Sequence, residues 1–171
     1  MRSKDATIHF DGSAKPEKPS GFPNLLEARR GDHPVAGYLL HGTLGDRIRV
    51  DIASGGVSIT EFNAPGEYAV TDEQAAFVAL ICALREAGER GLAQLVARGS
   101  SRVVIDQMNG AAACSAETQP LCEYAKELAK AFSHVAYELI PTTENKEAVI
   151  AANNPRGDVV LDLGQWPPVT S

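Results

Sequence analysis

The stretch Ala6-Thr7-Ile8-His9-Phe10-Asp11-Gly12-Ser13 runs apolar and β-branched residues straight into an acid and then a glycine. That is the pattern of a buried strand ending in a turn. An aspartate at the carboxyl end of such a strand stands where α/β proteins place their chemistry, and the glycine lets a ligand or a second backbone approach closely. Asp-Gly is also an ordinary turn pair, so the stretch by itself leaves a purely capping role for Asp11 open.

Outward from this strand, the next segment, Ala14 to Pro34, is rich in Pro, Gly and charge and reads as a loop longer than such connections usually are. Val35–Leu40 follows as a strand containing Gly37, and Arg47–Ile52 and Val57–Phe62 are further strand candidates. Whether these make two strands or three is left open by the pattern. Thr71 precedes Gln74 by three residues, a capping-box spacing, and the apolar run from Ala75 to Leu84 then predicts a helix over 72–88. A strand at Leu92–Ala97 comes next. Gly99-Ser100-Ser101 opens a short helix that Gly110 stops, and residues 111–119 read as loop. Apolar residues at helical spacing predict a helix over 119–133, Val135–Ile140 a last strand, and 143–153 a final helix. Residues 1–154 thus form one domain, and 155–171, with Pro, Gly and Asp around Trp166, form an appended tail.

With 171 residues, 44% of them apolar and 22% charged, the chain suits a single domain with a real core. No apolar run approaches the roughly 18–20 residues of a membrane span, and the polar start resembles no signal peptide, which predicts a cytoplasmic protein without a membrane partner. Cys82, Cys114 and Cys122 are odd in number and lack Cys-x-x-Cys spacing, so neither a disulfide framework nor a zinc site is expected. Sixteen basic against 22 acidic residues leave a net charge of −6, which opposes non-specific polyanion binding. Any nucleic-acid contact must then come from a local basic patch, for which Arg29, Arg30, Arg47, Arg49, Arg98 and Arg102 are the candidates.

The Asp11-Gly12-Ser13 turn, the glycine-bearing second strand and the helix opened at Thr71 together resemble the ribonuclease H family, over about residues 5–155. The resemblance implies an α/β fold with a mixed five-stranded sheet flanked by helices. It also implies phosphodiester hydrolysis by two divalent metals held among about four carboxylates, which two mutually repelling dications need as neighbours. Asp11 matches the first acid. In Thr71-Asp72-Glu73-Gln74-Ala75-Ala76, Thr71 and Ala75 match the family pattern and Ala76 takes the place of its glutamate. Gly99-Ser100-Ser101-Arg102-Val103-Val104-Ile105-Asp106-Gln107-Met108-Asn109-Gly110 resembles the bacterial and archaeal form, with Gln107, Asn109 and Gly110 in register and Ser100 at the aspartate. Asn145, Ala148 and Ala151 match the last helix start, where Val149 replaces the fourth acid. Asn145 is carried over with the arginines as a nucleic-acid contact.

One acid of four is therefore kept. Glu73 lies one turn before Ala76 on the same helix face and is the candidate for a shifted carboxylate. No metal site is expected beyond a single weak Mg²⁺ at Asp11. Ser100 would cap its helix as an aspartate does, and His9, two residues before Asp11 on one strand face, reads first as a structural residue, with pairing to Asp11 the alternative. Three functions follow from these residues. The first is a degenerate ribonuclease H-like protein that binds an RNA/DNA hybrid or structured RNA without cleaving it. The second is a scaffold for a protein partner, and the third is residual metal-dependent hybrid cleavage through Asp11 and Glu73.

Overall fold

The computed structural model describes residues 5–14, 33–44, 48–63 and 70–162. Within them the order is β1 (Asp5–Ser13), β2 (Val35–Leu44), β3 (Ile48–Asn63), α1 (Asp72–Glu89), β4 (Gln94–Gly99), α2 (Arg102–Met108), α3 (Gln119–Ala129), β5 (His134–Leu139), a 3-10 turn (Thr142–Glu144), α4 (Lys146–Asn153) and β6 (Gly157–Asp162). The loop beyond Ala14 and the tail around Trp166 lie outside the described residues, as do Arg29, Arg30 and Arg47.

The strands form one mixed sheet in the order β5-β4-β1-β2-β3-β6. β1, β2 and β3 are antiparallel neighbours, β4 and β5 run parallel to β1, and β6 runs parallel to β3. The second and third strand candidates prove to be one, because β3 continues through Gly55-Gly56 while paired to β2. The five expected strands are thus all present, and a sixth comes from the segment read as a tail. Pro155 and Gly157 argue locally for a turn, but Val57 to Asn63 offers an open edge to which Gly157–Asp162 pairs. The sheet therefore extends past residue 154, where the sequence placed the end of the domain.

Period-two alternation sorts β1 onto two faces. Ala6, Ile8 and Phe10 are buried, whereas Thr7, His9 and Asp11 are only partly so. The buried face meets α1, which buries every residue from Gln74 to Leu84 except the partly buried Cys82. Its start is the expected capping box: Gln74 N donates to Thr71 Oγ1 (3.1 Å) and Thr71 N to Gln74 Oε1 (2.9 Å). Gly12 brings the helix this close, since a Cβ there would sit 2.1 Å from the Ala75 carbonyl carbon. α3 covers α1 through Leu121, Cys122 and Ala125. It ends at Ala129, short of the expected 133, although Phe132 still reaches the core.

On the opposite face lies α4. The expected helix over 143–153 is divided, with a 3-10 turn first and α4 proper after Asn145. Gln107, Asn109 and Gly110, the residues in register with the family frame, each hold a turn in place. Thr118 Oγ1 donates to Gln107 Oε1 (2.7 Å), Asn109 Nδ2 donates to Tyr137 O (3.2 Å), and Gly110 takes a positive φ of 76° after α2.

Contrary to expectation, Cys114 and Cys122 form a disulfide across eight residues, with their Cα atoms 6.1 Å apart, while Cys82 remains free. The odd cysteine count concealed a bonded pair plus a partly buried third. The loop after α2 folds back onto the start of α3 and brings the two within bridging range, which their spacing in sequence does not reveal. Among the described residues, no helix is long and apolar enough to cross a membrane.

Candidate nucleic-acid interface

β1 and β4 are adjacent and parallel, so their carboxyl ends open onto one crevice, the usual place for a site in an α/β sheet. A cavity of about 480 Å³ lies there. Asp11, Ala76, Ser100 and Val149, drawn from β1, α1, the end of β4 and α4, all line it. Four positions spread over 139 residues of chain are thus neighbours in space. Glu73 lines the same cavity, as does Asp72, which sequence reasoning passed over although an acid in the first turn of a helix is a visible signal. Asp72 Oδ1 accepts a hydrogen bond from Ala14 N (2.8 Å) and so ties the end of β1 to the start of α1.

Ser100 does not cap α2. That role falls to Ser101, whose hydroxyl accepts from Val104 N, and this leaves the Ser100 hydroxyl free to donate to Asp11 Oδ1 at 3.3 Å. Burial pushes the Asp11 carboxyl above its ordinary value, the Ser100 hydrogen bond pulls it part of the way back, and the nearby Asp72 charge pushes it up again. As pH rises through the ordinary carboxylate range, the unfolded chain ionises before the folded one. The Asp11 contribution to stability is therefore full in acid and falls as pH rises toward the folded-state value. Asp11→Asn, neutral at every pH, should stabilise the protein at pH 7 and raise Tm there. The gain should vanish toward pH 3, and thermal melts across that range check it.

The basic candidates separate clearly. Arg49 forms ion pairs with Asp51 (3.0 Å) and with both carboxylate oxygens of Glu147, and Arg98 pairs with Glu138 (3.3 Å). Arg102 lines the cavity, is exposed and has no carboxylate partner among the described residues. Asn145 is fully buried, and its Nδ2 donates to Phe10 O (2.8 Å). It clamps the start of α4 onto β1 and leaves no surface for a nucleic acid to touch, contrary to its expected role. His9 likewise pairs with His41 rather than with Asp11.

The profile of the family described as reverse transcriptase-like matches residues 49–154. No curated protein matches the sequence. Among solved structures, the ribonuclease H1 of the halophilic archaeon Halobacterium salinarum NRC-1 is 26% identical, with a TM-score of 0.64 over 88% of this chain and 96% of that one. The N-terminal ribonuclease H domain of a Mycobacterium tuberculosis protein, solved as a fusion with maltose-binding protein, is 20% identical with a TM-score of 0.68, over 88% and 91%. LC11 ribonuclease H1, solved in complex with an RNA/DNA hybrid, is 19% identical with a TM-score of 0.60, over 88% and 95%. At these identities the last two bear on the fold alone.

Proposed function

This chain belongs to the reverse transcriptase-like family and has a ribonuclease H fold, and we propose that it binds an RNA/DNA hybrid at the end of β1 without hydrolysing it. The observation that carries this reading is the convergence of Asp11, Ala76, Ser100 and Val149 on one cavity. Two dications need anions from about four such positions, and here one position is acidic, one is a hydroxyl and two are apolar. Glu73 and Asp72 add charge nearby, yet Asp72 is engaged by the Ala14 amide. Among the described residues, no three His, Cys, Asp or Glu side chains come close enough to hold one metal. The donors at these four positions do not fit a metal pair.

What remains suits a duplex backbone. Ser13, Ser101 and Thr142, each with a hydroxyl, line the cavity together with Arg102, which forms no ion pair among the described residues. Neutral donors and such a cation position a phosphate backbone without reading sequence. The hybrid is chosen as the nucleic acid because a ribonuclease H1 that shares this fold was solved in complex with one.

A labelled RNA/DNA hybrid titrated with the protein, with and without Mg²⁺ or Mn²⁺ and over a range of salt, tests the reading. Salt-sensitive binding with no cleavage is expected, and Arg102→Ala should weaken it and reduce the slope of log K against log salt by about 1. Metal-dependent cleavage that Asp11→Asn abolishes would replace the reading with a rebuilt site using Glu73. Failure of both binding and cleavage would leave the fold as a scaffold for a protein partner.

A further inference from the structure

The face of the sheet that carries α4 is only partly covered by this short helix, and next to it two imidazoles meet. His9 on β1 and His41 on β2 bring their Nε2 atoms to 3.1 Å, with ring centroids 5.2 Å apart. We propose that His9 and His41 form a bidentate site for a borderline divalent transition ion such as Zn²⁺, Ni²⁺ or Cu²⁺.

Three observations support the site. With metal–nitrogen bonds of about 2.05 Å, nitrogens 3.1 Å apart subtend an angle of about 98° at the metal, between the square and tetrahedral ideals of these ions. The two ligands stand on adjacent, hydrogen-bonded strands of a six-stranded sheet, so the separation is built into the fold. The third observation is Asn145. Its Nδ2 is committed to Phe10 O, which fixes the amide, and its buried Oδ1 makes no hydrogen bond. The Asn145 side chain lies near the His9 ring and raises its proton affinity slightly. A proton on His9 Nδ1 would answer that oxygen and leave Nε2 bare for a metal, the usual outer-shell arrangement of a ligating histidine.

The surroundings tolerate a cation. Arg49 and Arg98 face the pair, but Asp51, Glu147 and Glu138 bind them, which leaves one net negative charge around the rings. Burial and these arginines push both histidines below the ordinary imidazole value, His41 to about 4. Water, or a phosphate oxygen of a bound nucleic acid, would fill the remaining positions. The site is distinct in ligand chemistry from an oxygen-donor Mg²⁺ site at Asp11.

Untagged full-length protein titrated with Zn²⁺, Ni²⁺ and Cu²⁺ by calorimetry should take up one equivalent, with Tm rising as metal is added. Cu²⁺ at this site should show electron paramagnetic resonance splittings from two nitrogens. His9→Gln and His41→Gln should each weaken binding by about tenfold or more, on the scale of losses at metal sites, whereas Asp11→Asn and Cys82→Ser should leave it unchanged. Uptake that survives in the His9→Gln/His41→Gln double variant, or no uptake by the parent protein, would overturn the proposal. None of these readouts depends on hybrid binding, so the two proposals fail separately.

Discussion

Gly37→Ala should detach α4 from the sheet while the rest of the fold survives. A Cβ at residue 37 would stand 2.1 Å from Ala152 N and 2.6 Å from its Cα, and backbone atoms cannot step aside as the end of a long side chain can. Gly56, paired with Gly37 on the next strand, is equally tight, at 2.0 Å from Ala151 O. Overpacking of this kind costs about 1–3 kcal/mol and occasionally more. α4 has only eight residues, too few to persist unsupported, so the helix gives way before the sheet does. Its departure removes Val149 and Asn153 from the cavity wall and breaks the Asn145 bond to Phe10 O. Hydrogen exchange should show the α4 amides losing protection while α1 keeps its own, together with loss of hybrid binding. Unchanged protection in α4 would mean that the contact relaxes at little cost.

Phe77→Ala should act globally instead. Phe77 is fully buried in the first half of α1, packed in a core cluster to which the sheet, α1, α2 and α3 all contribute. Truncating such a ring costs about 3–5 kcal/mol through lost transfer energy and the cavity left behind, a large part of the roughly 5–15 kcal/mol that a domain has in total. The midpoint of urea unfolding should fall steeply and Tm by roughly 10 °C. Protection should fall across α1, β1 and β4 together, in contrast to the local loss expected from Gly37→Ala. A loss below about 1 kcal/mol would show that the neighbouring side chains collapse into the space.

The contrast between these two variants follows how much of the protein is written in local pattern. The capping box at Thr71 and Gln74, the apolar run of α1 and the alternation in β1 are short-range signals, so the sequence alone located the core helix and the central strand. The order of strands and helices, with the register of Gln107, Asn109 and Gly110, was enough to place the chain in its fold and to bring Asp11, Ala76, Ser100 and Val149 to corresponding places. Partners distant in sequence were settled only in three dimensions. Gly157–Asp162 became a sixth strand because β3 offered an open edge, and Cys114 met Cys122 because a loop folded back onto α3. Ser100 turned from a cap to a partner of Asp11, Asn145 was drawn inward to Phe10 O, and His9 found His41 across 32 residues. The physical reason is the same in each case: periodicity and capping are satisfied within a few residues, whereas a buried donor or acceptor is satisfied by whatever group tertiary packing brings to it.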